Sequence, residues 1–238
     1  MSFVNWAPII ILRRKFFGKK KIVRWEKRYS KNIKDKSAEN YVLNKSKKWM
    51  GTLNVVTTLT PQNGKILETG CGTSALSIWL NKNGYQNYCI DKNNKILKIA
   101  KKLNREIKTK VDYKKENLFR TRFKNNFFDT VFSQGVIEHL DLEKIPVAIN
   151  EGLRISKTYI FAVPTICDLS DCLRGDENLL NYFQWKKIIR KSNGYIFDSF
   201  AYFPFHPMIE KINQKIFKSK LLSIAPTLIF VIKSKLQA

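Results

Sequence analysis

From residue 38 onward, apolar positions recur with periods that alternate between helix and strand. Tyr41, Val42, Trp49, Leu53 and Val56 share one helical face, which Pro61 and Gly64 bring to an end. Lys65-Ile66-Leu67-Glu68 reads as a short buried strand entering a glycine turn. The run from Ser74 to Leu80 begins a helix that Asn83-Gly84 stops, and Tyr88-Cys89-Ile90-Asp91 is a second strand. Asn93 is placed to cap a helix whose face carries Ile96, Leu97, Ala100 and Leu103, because its side chain can accept from the free N–H groups of the first turn. A weak third strand is expected near residues 111–113, a fourth at 128–132, a helix at 143–155, and a fifth strand at 159–163 closed by Pro164. A helix over 179–191 ends at Asn193-Gly194. Strands follow at 195–202 and 227–232, with a helical segment at 208–218 between them. Strands alternating with helices predict an α/β fold around a mostly parallel sheet with helices on both faces.

Composition sets the scale. The 238 residues are 44% hydrophobic and 13% aromatic, enough to bury a full core and to exclude global disorder. No apolar run approaches the roughly 20 residues that span a bilayer. The early run at 7–12 contains Pro8 and has no basic residue before it, so it makes a poor signal peptide. Cys71, Cys89, Cys167 and Cys172 are scattered, which fits a reducing cytoplasm rather than a disulfide framework.

The formal charge of +25 suggests anionic partners, but its make-up shifts the reading. The basic residues are 34 Lys and only 10 Arg, and with 26 Ile and 20 Asn the lysines exceed a third of the chain. All three have A/T-rich codons, so a biased genome accounts for much of the excess. Base and phosphate recognition favours Arg forks, which are not enriched, and a nucleic-acid partner is not expected. A pI near 10.0 still attracts anionic surfaces of any kind. Residues 1–36 form a basic and apolar N-terminal arm in which Phe16, Phe17, Ile22, Val23 and Trp25 interleave with Lys and Arg. Such an arm can dock on an anionic membrane surface, or it can pack over the domain of residues 37–238 with its lysines solvated. A cytoplasmic protein, peripheral at the membrane in the first case, is expected.

The sharpest local feature is Glu68-Thr69-Gly70-Cys71-Gly72-Thr73-Ser74, between a strand and a helix. Its glycines permit a tight turn and a close ligand approach, and the helix N-terminus turns free N–H groups to the same crevice. Asp91, about 20 residues on at the end of the next strand, is placed to accept both hydroxyl donors of a ribose. Gly70-x-Gly72-x-x-Ala75 also satisfies a dinucleotide fingerprint. Glu68 separates the two readings: a carboxylate suits an ammonium or sulfonium better than a pyrophosphate, which points to S-adenosylmethionine.

On these residues the segment 65–140 resembles a class I S-adenosylmethionine-dependent methyltransferase of the small-molecule type. Ser74 stands where the family's glycine motif has a third glycine. Cys89-Ile90-Asp91-Lys92-Asn93 is similar to the second-strand motif, and Glu116-Asn117-Leu118 to the segment that contacts adenine. Phe128-Asp129-Thr130-Val131-Phe132-Ser133-Gln134-Gly135-Val136-Ile137-Glu138-His139-Leu140 is similar to the fourth-strand motif of quinone and natural-product methyltransferases, and residues 225–231 to the last strand. The resemblance implies a Rossmann-like, seven-stranded sheet with the last strand antiparallel. It implies that Gly70 and Gly72 give backbone approach, Glu68 meets the methionine end, Asp91 takes the ribose, Glu116, Asn117 and Leu118 flank the adenine, and Ser133 and Gln134 line the methionine or transfer side.

His139, just past strand four, is the candidate general base, since a histidine side chain can exchange a proton near neutrality. The alternative is that it braces the loop. Related quinone O-methyltransferases bind a divalent metal through Glu-x-x-Glu-His; Gly135 fills the first Glu position here, and no metal is expected. His206 lies beyond strand six, where the resemblance places substrate contacts; otherwise it is a surface or packed histidine. Cys167 and Cys172 lack the further ligands of a zinc site. The expected activity is methyl transfer to a small-molecule or lipid-linked acceptor. A catalytically silent cofactor-binding fold that binds a protein or RNA partner, and a nicotinamide oxidoreductase, are the other readings.

Overall fold

The computed structural model describes residues 25–34, 37–165, 168, 176–202 and 225–235. Helices α1 (Trp25–Lys34), α2 (Ala38–Lys48) and α3 (Met50–Leu59) precede a regular alternation of β1 (Lys65–Thr69), α4 (Ala75–Lys82), β2 (Gln86–Asp91), α5 (Asn94–Ile107) and β3 (Asp112–Lys115). Then come β4 (Phe128–Gln134), a 3₁₀ turn (Ile137–His139), α6 (Ile145–Ile155), β5 (Ser156–Pro164), α7 (Tyr182–Ile189), β6 (Gly194–Tyr202) and β7 (Thr227–Ser234). The seven strands form one sheet in the order β3-β2-β1-β4-β5-β7-β6. The first five run parallel, and β7 is antiparallel to both β5 and β6, as expected from the sequence. The order reverses at β1, between β2 and β4, and open α/β sheets bind ligands beyond the carboxyl ends of strands at such a reversal.

Alternation along the strands supplies both faces. Leu67, Val131, Tyr159 and Phe161 pack with Ile149 and Leu153 of α6 and Trp185 of α7. Ile66, Phe132, Ile160 and Val231 turn the other way, against Leu53 and Val56 of α3 and Leu76 and Leu80 of α4. The predicted face of α5 is buried as expected, with Asn93 Oδ1 accepting from Lys95 N at 2.9 Å. The segment between β3 and β4 is moored to α6: Glu151 Oε1 accepts from Thr121 N at 2.6 Å, and Arg154 donates to Phe123 O at 2.9 Å.

The structure corrects one element. The single helix expected before Pro61 is two, α2 and α3, divided at Trp49 (φ −114, ψ 26). Tyr202, remote in sequence, explains the break. Its hydroxyl donates to Lys48 O at 2.8 Å, and its ring lies so close to Gly51 that a Cβ there would fall 2.3 Å from Cδ2. The segment expected to be helical at 208–218 lies outside the described residues.

Gly51 therefore opposes two effects of known size. Alanine favours a helix interior over glycine by about 1 kcal/mol, while overpacking a filled site costs about 1–3 kcal/mol. Gly51→Ala is expected to lower the urea-unfolding free energy by up to about 2 kcal/mol in the native background, and to raise it in a Tyr202→Ala background. A stabilising effect in both backgrounds would remove the ring contact as the cause of the break.

Candidate active site at the carboxyl edge of the sheet

The crevice begins where β1 ends. Gly70 and Gly72 adopt φ of +63° and +55°, and Ser74 follows at +56°. A Cβ on Gly70 would fall 2.7 Å from Val136 Cγ2, and one on Gly72 would fall 2.8 Å from the Tyr29 hydroxyl oxygen. Bare backbone is thus required both by the left-handed geometry and by what packs on either side. Ser74 carries the strain that a glycine would avoid, roughly 1–2 kcal/mol, and its hydroxyl lies 2.7 Å from that of Tyr113. Cys71 N donates to Ile90 O at 3.1 Å, which ties the loop to β2.

Glu68 lies beneath this loop. Its Oε2 accepts from Ser77 Oγ at 2.7 Å and Ser77 N at 3.3 Å, with Cys89 Sγ at 3.9 Å. Burial pushes its carboxyl up to about 7, against the pull of the Ser77 donors. The carboxylate expected to meet the methionine end of the cofactor thus has one oxygen committed to the first turn of α4. Cys71 and Cys89 share a hydrogen bond beside it, and together with burial this raises the Cys71 thiol; burial raises that of Cys89. Thiols held neutral in this way are poor nucleophiles.

Asp91 closes β2 at the same edge. Its Oδ1 accepts from Asn93 N at 2.8 Å. Burial raises its carboxyl, while N–H groups of Asn93 and Gly72 hydrogen-bond the charged form and pull the other way. Asp91 and the glycine loop therefore share one crevice. Glu116 N donates to Asp91 O at 3.3 Å, and Glu116 Oε1 accepts from Arg122 Nε at 2.8 Å. Glu116 and Asn117, with Lys92 and Thr121, border a cavity of about 440 Å³. Asn117 Oδ1 accepts from Phe119 N at 3.1 Å, within its own turn. Leu118 turns away from the cavity and packs on the core, so of the three residues expected near adenine it is the one the fold directs elsewhere.

On the transfer side, Ser133 is buried with its hydroxyl 3.4 Å from that of Tyr159, so it faces the interior of the sheet rather than an open cleft. Gln134 is held by Thr52 of α3, whose hydroxyl donates to Oε1 at 2.7 Å. His139 ends the 3₁₀ turn. Its Nδ1 lies 3.1 Å from Asp176 Oδ1, close but out of hydrogen-bond alignment. His139, Asp176 and Glu177 each place one donor atom within 4.8 Å of the others, a grouping that the spacing of residues 135–139 does not reveal. Burial pushes Glu138 up to about 8, and its Oε2 has no hydrogen-bond partner among the described residues. His206, Cys167 and Cys172 lie outside the described residues.

Two residues of the site were not anticipated. Trp25 and Tyr29 of α1 stack at 5.9 Å, and the Trp25 ring meets His139 edge-on at 5.3 Å. With Tyr29 over Gly72, α1 reaches from the glycine loop to the turn after β4. Their i,i+4 spacing places both rings on one helical face, a signal the interleaved lysines hide.

Residues 67–158 match the family model described as a methyltransferase domain. No curated protein sequence matches the chain. Among solved structures, the chain is similar to an S-adenosylmethionine-dependent methyltransferase from Clostridium acetobutylicum, with TM-score 0.59 and 14% identity over 79% of this chain and 91% of that one. It is similar to the complex of the Haloferax volcanii Trm112 methyltransferase activator with a putative methyltransferase, with TM-score 0.63 and 11% identity over 89% of this chain and 97% of the other. A third likeness is to the geranyl diphosphate C-methyltransferase of Streptomyces coelicolor, whose structure holds Mg2+, geranyl-S-thiolodiphosphate and S-adenosyl-L-homocysteine, with TM-score 0.57 and 11% identity over 78% and 76% of the two chains. At these identities the likenesses establish the fold.

The Glu68 carboxyl gives a pH dependence of definite sign. Its raised value means that the folded chain holds a proton which the unfolded chain releases near 4.5, so stability falls as pH rises from about 4.5 to about 7. Glu68→Gln keeps an acceptor for Ser77 and removes the ionisation. It is expected to be more stable than the native chain by roughly 2–3 kcal/mol above pH 7, with the difference closing towards pH 4.5 in urea titrations. A variant that is less stable at pH 8 would mean that the charge is compensated and that the native carboxyl is ionised there.

Proposed function

We propose that this chain, whose residues 67–158 match the methyltransferase-domain model, is a class I S-adenosylmethionine-dependent methyltransferase that moves a methyl group to a small-molecule or lipid-linked acceptor. The observation that carries this reading is the tie of the glycine loop to the end of β2, where Cys71 N donates to Ile90 O at 3.1 Å next to Asp91, at the topological reversal of the sheet and in a loop where only bare backbone fits. When bound, S-adenosylmethionine supplies an activated methyl on a sulfonium that leaves as a neutral thioether.

The chain's own contribution is alignment and exclusion of water. The backbone of Gly70 and Gly72 lets the ligand approach, and Asp91 accepts from the ribose hydroxyls. Glu116 and Asn117 border the adenine side, where Arg122 holds Glu116. Gln134, fixed by Thr52, offers its amide at the methionine side. Glu68 acts through Ser77, setting the loop against α4, and its negative charge favours a cationic ligand nearby. Trp25 and Tyr29 cover the crevice. His139 takes the acceptor's proton at Nε2, while Asp176, facing Nδ1, stabilises the imidazolium that forms. The small-molecule or lipid-linked acceptor rests on the fourth-strand motif; the Streptomyces coelicolor relative, a geranyl diphosphate C-methyltransferase, lends it support.

Asp91→Ala tests the cofactor site. Losing charged hydrogen bonds worth about 1.5–3 kcal/mol is expected to weaken S-adenosylmethionine binding roughly 10- to 150-fold in calorimetry on folded protein. An unchanged dissociation constant would reject the assignment. Once an acceptor is found by turnover to S-adenosylhomocysteine in metabolite extracts, His139→Ala is expected to cut turnover by roughly 10²–10⁴-fold with little change in cofactor affinity. Near-native turnover would leave alignment and desolvation as the whole mechanism.

A further inference from the structure

The cofactor crevice uses the carboxyl ends of β1, β2 and β4. The opposite flank of the same half-sheet, the outer edge formed by β3 and α5, carries a different chemistry. Residues 92–124 contain 13 Lys and Arg against three acids, Glu106, Asp112 and Glu116. All 13 basic side chains are exposed: Lys92, Lys95, Lys98, Lys101, Lys102, Arg105, Lys108, Lys110, Lys114, Lys115, Arg120, Arg122 and Lys124. Among the described residues, two of them form salt bridges, Lys102 with Glu106 at 3.8 Å and Arg122 with Glu116 at 2.8 Å. The whole chain has 44 basic and 19 acidic residues, so less than a seventh of the sequence holds nearly a third of the cations and three of the acids. Codon drift raises lysine everywhere; it does not sort charge onto one edge of a sheet.

The edge is also concave. A groove of about 680 Å³ runs between α5 and β3, lined by Lys98, Lys101, Lys102, Arg105, Asp112 and Tyr113. Lys98, Lys102 and Arg105 are spaced three and four residues apart on α5, about one helical turn, or 5.4 Å, each. They form a row of cations along the groove.

We propose that this edge binds the phosphodiester backbone of a single-stranded nucleic acid, without reading its sequence. The row of cations neutralises successive phosphates, and binding is dominated by release of counterions. Lysine serves here because a point charge is enough for a phosphate where no base is read; the fork geometry of Arg matters for base edges. The surface favours a strand over a bilayer because, among the described residues, the exposed large apolar side chains, Leu43, Leu142, Val147, Phe183 and Phe197, all lie outside this segment, so none of them can insert among acyl chains from this edge as surface-bound helices do.

The test uses the full chain, a labelled single-stranded oligouridylate of 20 nucleotides (about 20 phosphates, more than the edge can cover) and phosphatidylserine–phosphatidylcholine vesicles. Lys98→Glu/Lys102→Glu/Arg105→Glu is compared with Lys187→Glu/Arg190→Glu/Lys191→Glu, an equal charge change on and beside α7 at the other side of the sheet. Retained S-adenosylmethionine binding reports that each variant is folded. The α5 triple variant is expected to weaken oligonucleotide binding at least 10-fold and to reduce the slope of log K against log salt by about 2, from three lost contacts at about 0.7 each. The α7 variant should change binding less than about threefold, the scale of non-local charge effects. Equal losses in both variants would mean that net charge alone attracts the oligonucleotide. An unchanged salt slope, or vesicle binding that is tighter than oligonucleotide binding and lost with the same three residues, would equally overturn the proposal.

Discussion

The fold of this chain turns on a steric demand at one loop. Between β1 and α4 the backbone passes through the left-handed region three times in five residues, at Gly70, Gly72 and Ser74. Val136 presses on the first glycine and Tyr29 on the second. These contacts place the strand-four exit and the N-terminal helix against one small turn, so three parts of the crevice are located by the same absence of side chains. Any Cβ at Gly70 or Gly72 must displace Val136 or Tyr29 and adopt a backbone that costs an L-residue roughly 1–2 kcal/mol. Asp91 enters the arrangement at the end of β2, where Ile90 O accepts from Cys71 N, and Glu68 supports it from below through Ser77.

Electrostatics inside the crevice run opposite to those of the chain as a whole. The net charge is +25, yet the groups nearest the loop are carboxyls: Glu68, Asp91 and, at the turn after β4, Glu138. Burial raises all three, because it disfavours the charged form of each. A cation brought beside Glu68 or Asp91 stabilises the ionised form instead. Binding of a sulfonium or ammonium and loss of a proton are therefore thermodynamically linked at this site. The exposed lysines lie in high dielectric and are screened within about 10 Å at 0.1 M salt, so they do not cancel this local preference. The two charge systems can act separately because one is buried and the other solvated.

Much of this was legible in the sequence, and the reason differs by element. The strands around β1, β2, β4 and β5 announce themselves because each is short, apolar and bounded by Gly, Pro or Asn. Asp91 could be assigned because its place depends on local spacing along one β-α-β unit. The division of α2 from α3 was hidden because its cause, Tyr202, lies some 150 residues away. Leu118 and Ser133 were expected at the crevice on motif position, but the direction of a side chain depends on strand register and on a neighbour such as Tyr159, which no motif encodes. Trp25 and Tyr29 were grouped with the arm for their composition. Only their contacts with His139 and Gly72 show that their shared face is a contact surface.

That packing bears on how the crevice is covered. A ten-residue helix has little stability of its own in water, since nucleation is costly and isolated helices below about 12–15 residues are marginal. The order of α1 therefore comes from what it touches: α5, the glycine loop through Tyr29, and the turn after β4 through Trp25. Aromatic pairs of this kind are worth about 0.5–1.5 kcal/mol beyond the area they bury. The cover over the crevice and the walls of the crevice are then held by the same few contacts. A ligand that tightens the glycine loop steadies α1, and a side chain lost from α1 loosens the loop. The stability of the cover is in this sense a property of the site rather than of the arm that supplies it.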